Sequence, residues 1–433
     1  MKATLLAQRH TPLRLIHSRP TQSRRSRIVL LTLLVLTLAT IPVWAHFDNA
    51  GWDAQIYHKA VESIQQGHDP YADGIAAQRI AHTRDAGTPS PEGPFSYVYS
   101  PITLPLVRVV AAVPLWLATS VFWLCYVAGV LGELWFGVQA LKGGKPSERN
   151  FFMAILPLAV FFPGFLACDT ILSGNIAFML YGLVLATAVL AWRRGDWRWF
   201  YLATLAASCV KAPLLSLLAI PVLSARRQWL PAGITAAAGV GLFIVQPLLW
   251  PTLFREYLQA VELQFSFNRD FGFSPAGLFS GVLFDHHLAY SPACTIFYAL
   301  YAIPLFAFLL FLSRRYLRGD FTLAQWIPVL ILGVILLNPR LIEYDAAPLA
   351  LPAALIAWRF LAAIASPRRT ILYFTLSFVA VNAIALTGWQ IWKLTEGPLL
   401  VVLFAAGAYT LLRPRSGRVH DERAEAEAVL VRA

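Results

Sequence analysis

About twelve apolar segments follow one another along this chain, near 28–45, 98–113, 115–141, 151–168, 172–192, 199–223, 230–250, 292–312, 321–337, 346–365, 370–388 and 398–412. Most are about 18 to 25 residues long, the length a helix needs to cross roughly 30 Å of hydrocarbon. A transmembrane barrel would instead show alternating segments of about ten residues, and the sequence has none. Composition agrees: 58% of residues are hydrophobic and 13% charged, against about 25% charged in soluble domains. The expected fold class is therefore all-α, a polytopic transmembrane bundle of about 10–12 helices.

The net charge of +12 is concentrated between the apolar segments. Arg14, Arg19, Arg24, Arg25 and Arg27 precede the first one, which places residues 1–27 in the cytoplasm as a basic tail. The clusters Lys142/Lys145/Arg149, Arg193/Arg194/Arg198, Arg226/Arg227, Arg314/Arg315/Arg318, Arg368/Arg369 and Arg413/Arg415/Arg418 follow the same rule. Residues 28–412 then form one transmembrane domain, and the polar tail 413–433 returns to the cytoplasm. The expected location is the inner (plasma) membrane. Residues 28–45 end in PVWA, as a signal peptide does, but so long an apolar run in a polytopic chain favours a retained helix. No basic patch is interleaved with exposed aromatics, so nucleic acid is not an expected partner, whereas membrane lipid is.

Five connections fall on the far face: 46–97, 168–174, 251–291, 338–345 and 389–397. Charge also requires an odd number of passes in 98–141 and an even number within the short stretch 199–223. Each should contain a short or re-entrant helix, which is tolerated only beside protein or a wet cavity. The four cysteines, Cys125, Cys168, Cys209 and Cys294, have no CxxC spacing and read as small buried hydrophobes.

The 46–97 loop is long and polar. Within it Ile56, Tyr57, Ala60, Val61 and Ile64 recur at helical spacing and Gly67 supplies a stop, so an amphipathic helix is expected with Asp53 in its first turn. Asp53 suits a helix cap and equally a general base at the membrane surface, with Asp48 as a neighbour. Tyr97 and Tyr99 suit interfacial anchors or the floor of a sugar-binding cleft. Lys211 stands in an apolar stretch, where an unpaired ammonium costs at least about 2.5–3.5 kcal/mol, so it needs a phosphate ligand or an acid such as Asp169 or Glu133. Arg108 and Arg340 are further phosphate candidates, because guanidinium grips phosphate in a bidentate fork. Asn175 follows a glycine at a helix start and suits a cap or a cleft wall. Asp285, His286 and His287 are metal ligands by type, yet adjacent histidines diverge and no third ligand is spaced to join them. No metal is expected, and His286 reads as cleft lining or ordinary loop.

These residues carry a resemblance. GWDAQIYHKAVESIQQGHDPY followed by YVYSPITLPL resembles the N-terminal signature of glycosyltransferase family 87. LSGNIAFMLYGLVLATAVL is similar to the family's polar Gly-x-Asn helix start, LAASCVKAPLLSLLAIP to its Lys-x-Pro segment, and LLNPRLIEYDAAPLALP to its late Pro-containing segment. Many members carry Trp-Asp-His there, where this chain has Tyr344-Asp345-Ala346, so no histidine role transfers.

The resemblance spans most of residues 28–400 and implies a GT-C fold whose extracytoplasmic first loop bears amphipathic helices. It also implies transfer of a mannose-like hexose or a pentose from a polyprenyl-phosphate carrier to an envelope glycolipid or polysaccharide, with no separate cofactor. Asp53 is then the expected base and Lys211, Arg340 and Arg108 the donor-phosphate ligands. Asp48, Tyr57, Tyr97, Tyr99, Asn175, His286, Tyr344 and Asp345 are the expected cleft lining. A transporter or lipid flippase is the alternative from another class, although no internal repeat supports one. A non-catalytic scaffold is favoured if Asp53, Lys211 and Arg340 lie far apart.

Overall fold

The computed structural model describes residues 51–84, 97–142, 144, 148–153, 173–266, 271–286, 288, 292–386 and 389–413. Asp48, Asp169 and the apolar segment 28–45 lie outside them, as does nearly all of 151–168. Among the described residues every regular element is helical.

The first two helices, α1 (Trp52–Gln65) and α2 (Pro70–Arg84), lie in the polar loop, and α1 stops just before Gly67 as its sequence predicts. The His68-Asp69-Pro70 stretch opens α2. Pro70 takes the first helical position and Asp69 Oδ1 accepts from Tyr71 N at 2.9 Å. A single 3₁₀ turn (Pro101–Thr103) and the short α3 (Leu104–Ala111) precede the long α4 (Leu115–Gln139). The short helix expected within 98–141 is therefore present, ahead of the long one.

α5 (Ala177–Arg194) packs on α4 at very close range. A β-carbon on Gly132 would come within 2.5 Å of the Gly182 carbonyl, and one on Gly182 would collide with the Gly129 carbonyl. Small residues at these three positions let the two backbones meet, as in other membrane helix pairs. The buried face of α4 carries Tyr126, Gly129, Gly132, Glu133, Phe136 and Gly137, a helical repeat.

Next, α6 (Arg198–Val210) runs to Lys211, and a 3₁₀ segment (Ala212–Leu218) followed by α7 (Ala219–Ser224) leads back alongside it. Pro213 prevents the first helix from continuing. This hairpin supplies the short helices expected within 199–223, and Lys211 sits at its apex. α8 (Trp229–Leu249) is a full-length helix. The 251–291 connection is not a loop but two further helices, α9 (Pro251–Ser266) and α10 (Pro275–Asp285), each with proline at its first position. α10 is capped by Ser274 Oγ, which accepts from Gly277 N at 3.0 Å.

The rest of the bundle is α11 (Pro292–Leu317), α12 (Leu323–Leu336), the one-turn α13 (Glu343–Ala346), α14 (Ala350–Ile364), α15 (Pro367–Leu386) and α16 (Trp389–Leu412). α12 is the hub. Every residue from Trp326 to Leu336 is buried, the pattern of a helix apolar all round. With 14 residues it is about 21 Å long, too short to span, and it ends at Leu336.

Six helical stretches among the described residues are long and apolar enough to cross a membrane: Leu115–Gln139, Ala177–Arg194, Trp229–Leu249, Pro292–Leu317, Tyr344–Ile364 and Thr395–Leu412. Of the other six apolar segments, 98–113, 199–223 and 321–337 form short helices, 370–388 forms α15, which is not among these six stretches, and 28–45 and nearly all of 151–168 lie outside the described residues. The outer faces of the long helices expose Trp116, Leu124, Leu248 and Leu300. An apolar exterior around a packed apolar core marks a helical membrane protein.

Candidate functional site

Five separated segments meet at Asp53. The left-handed backbone of Gly174 (φ 71°) turns the chain into α5, and a side chain there would strike Ala54 at 2.9 Å, so the first turn of α1 rests on this glycine. Asn175 follows and does two jobs. Its Oδ1 accepts from Ala177 N at 2.9 Å, capping the helix start, while its Nδ2 donates to Asp53 Oδ2 at 3.2 Å. The cap reading of Asn175 therefore holds, and the same side chain also contacts Asp53. Ser173 and the hydroxyl of Tyr344 also hydrogen-bond the Asp53 carboxylate.

Asp53 is 9% exposed. Burial pushes its carboxyl above the ordinary 3.8, against the pull of the Tyr344, Asn175 and Ser173 hydrogen bonds and of the Lys211 charge. The Lys211 charge thus reaches Asp53. The Lys211 Nζ itself lies 2.7 Å from Asp345 Oδ1, in a pair whose side chains are only 13% and 3% exposed. Asp345 is therefore an ion-pair partner and not cleft lining, and it takes the place of the two acids expected for Lys211. The ammonium also lies 6.0 Å from the centre of the Tyr344 ring. The two residues before Ala346 consequently serve two ends of one cluster: Tyr344 contacts Asp53, and Asp345 holds Lys211.

A layer of tyrosines closes the cluster. Tyr57 Oη accepts from Ile176 N at 3.0 Å and shares a 2.8 Å hydrogen bond with Tyr99 Oη. Both phenols are driven upward by burial, with the Tyr99 phenol and Asp53 adding to it for Tyr57 and Asp53 for Tyr99. Tyr97 is different. It is buried with Tyr71, Leu104 and Leu263 in a small core beneath α1, α2 and α9, and shares a 2.7 Å hydrogen bond with Thr103 Oγ1. Burial pushes its phenol up to about 12. It is neither an interfacial anchor nor cleft floor, because packing among four elements encloses it.

Three residues expected at the site stand elsewhere. Arg108 is exposed in the last turn of α3, whose packed face carries Leu104 and Val107. His286 is exposed at the end of α10, which packs on α11 and α16. Arg340 lies with its guanidinium 5.2 Å from the Phe265 ring centre, and its charge reaches Tyr257 on the same helix, α9. It is four residues from Tyr344, yet these contacts are with α9.

Sequence reasoning passed over Ser173, Tyr126 and Tyr181. Tyr126 is hydrogen-bonded to the Gly174 backbone, and Tyr181 to Asp345. Their signal was available: Tyr126 and Glu133 are seven residues apart, on one face of α4. Chemically, the cluster offers a buried carboxylate with an upward-shifted pKa, donors that orient it, and a cation held nearby by a second acid. Among the described residues no group of three His, Cys, Asp or Glu is placed to hold a metal. No family model matches the chain, and neither a curated protein nor a solved structure matches it.

Proposed function

We propose that the chain is a membrane glycosyltransferase that moves a hexose or pentose from a polyprenyl-phosphate carrier to a hydroxyl of an envelope glycolipid or polysaccharide on the extracytoplasmic face. The observation that carries this reading is Asp53, a buried carboxyl raised above its ordinary range and fixed by Asn175 and Tyr344. A raised carboxyl is a better proton acceptor near neutral pH than a free one. In the reaction its carboxylate takes the acceptor O–H proton as the acceptor oxygen bonds the anomeric carbon. The bond from that carbon to the carrier phosphate breaks, and its electron pair leaves on the phosphate oxygen.

Growing charge on the leaving phosphate needs a cation. Lys211, held by Asp345 beside the cluster, is the cation that balances this charge. A transporter is the second reading, favoured by the re-entrant α6–α7 hairpin with an ion pair at its apex, since broken helices build transporter sites.

Mass spectrometry of envelope glycolipids and polysaccharides separates the two. A glycosyltransferase gives a pentose or hexose increment that disappears with Asp53→Asn. Uptake of a solute or lipid into proteoliposomes with no such increment favours the transporter. Undiminished sugar transfer by a folded Asp53→Asn protein removes Asp53 as the base.

A further inference from the structure

The end of the bundle away from Asp53 carries a cavity lined by basic residues. α8 is about 31 Å long. Its Gln246 end accepts from Ile102 N at 3.1 Å, beside the 3₁₀ turn that follows the cluster, and its Trp229 end lies beside a cavity of about 280 Å³ between α7, α8 and α11. Arg226, Arg227 and Arg314 line this cavity together with Trp229, Val222 and Leu310, and none of its lining residues is acidic.

The three guanidiniums are not spent on neighbouring carboxylates. Arg315 forms the local ion pair, with Nε 2.6 Å from Asp320 Oδ2. Arg314, one residue earlier, has no ion-pair partner among the described residues, and neither has Arg227. Arg226 Nη2 donates to the Leu317 carbonyl at 3.4 Å, which ties the α7–α8 turn to the end of α11. Arg227 is the one non-glycine residue with positive φ (61°) among the described residues. That backbone costs stability in an L-residue, and such strain is often kept at binding sites.

We propose that this cavity binds the phosphodiester headgroup of an anionic phospholipid, with the acyl chains lying along α8 and α11. Guanidinium and phosphate match in charge and in bidentate geometry. The volume suits a headgroup and not a whole lipid, while the adjoining surfaces of α8 and α11 expose Leu230, Ile234 and Phe311 for the chains. Trp229 stands where an amphipathic ring meets the headgroup layer. A choline headgroup would bring its own cation against three arginines, so the site discriminates by headgroup charge. Basic pockets between membrane helices bind acidic lipids in this way.

Native mass spectrometry of the full chain in detergent, titrated with dioleoylphosphatidylglycerol, dioleoylphosphatidylcholine and glycerol 3-phosphate, tests the proposal. The expected result is that phosphatidylglycerol binds about tenfold more tightly than phosphatidylcholine, and that Arg314→Ala or Arg227→Gly each weakens it about tenfold. Arg314 is exposed, so its variant keeps the fold. Arg227→Gly removes the strain and melts no lower than the parent, which separates a lost ligand contact from a lost fold. Arg315→Ala, outside the cavity, leaves lipid affinity unchanged. Equal affinity for the two lipids, or full affinity in both cavity variants, overturns the proposal. So does glycerol 3-phosphate binding as tightly as phosphatidylglycerol, which would make this a site for a free phosphate ester.

Discussion

Lys211 and Asp345 close the α6–α7 hairpin onto the segment before α14, with 2.7 Å between Nζ and Oδ1 and almost no exposure of either side chain. The pair is enclosed, so removing one partner strands the other charge. Lys211→Met or Asp345→Leu should each lower stability by about 3–5 kcal/mol, and the double variant should recover most of that loss. Thermal melting of the purified variants in one detergent, read as a double-mutant cycle, measures the coupling. Additive losses would show that the two residues stabilise the protein independently.

The Asp53 carboxyl is raised above 3.8 chiefly by burial, and this fixes the sign of two pH effects. The protonated form is favoured in the folded state. Its contribution to stability is therefore present below the unfolded value and is lost as pH rises through the folded one. Activity runs the other way, because the base must be ionised, so the acid limb of the rate profile should lie above 3.8. Sugar transfer in membranes across a pH series reads the limb. Asp53→Asn should abolish transfer and flatten the low-pH part of the stability curve, and a limb at or below 3.8 would contradict the buried-base assignment.

Tyr344 donates to Asp53, and the bond favours the ionised carboxyl. Tyr344→Phe removes that donor and leaves the ring beside Lys211. The acid limb should move to still higher pH, with the rate on the plateau reduced less than in Asp53→Asn. Asn175→Ala should move the limb in the same direction, and it should also lower the melting temperature, since Asn175 Oδ1 caps α5. A purely structural role for Tyr344 would change the melting temperature and leave the limb in place.

Much of this organisation was legible in the residues themselves. The apolar period gave the bundle, Arg226/Arg227 and Arg198 at the ends of a short apolar stretch demanded a hairpin, and the unaccompanied Lys211 demanded a partner. Its partner was not legible, because Lys211 and Asp345 are 134 residues apart and no local pattern encodes which acid arrives. Arg108 misled because a guanidinium in an apolar helix reads alike whether it faces a site or an outer surface. The 251–291 interval misled because polar amphipathic helices such as α9 share the composition of loops.

α9 also supplies the last prediction. Its Glu256 lies against Asp69 at the start of α2, and that acid, with burial, pushes the Glu256 carboxyl up to about 7 while Arg255 opposes the shift. Two carboxyls in one place share a proton more readily than they bear two charges. Because the folded value exceeds the ordinary 4.5, the contact is favourable at low pH and is lost as pH rises through about 7. α9 should therefore loosen from α2 above neutrality, exposing the small core formed by Tyr71, Tyr97 and Leu263. Hydrogen exchange across 251–266 at pH 6 and pH 8, chemically corrected for intrinsic rate, should show faster opening at the higher value. Glu256→Gln, neutral at both, should stay slow, and His68→Gln serves as the control for the adjacent His68–Asp73 contact. Equal protection of the parent protein at the two pH values would mean that Asp69 and Glu256 do not share a proton.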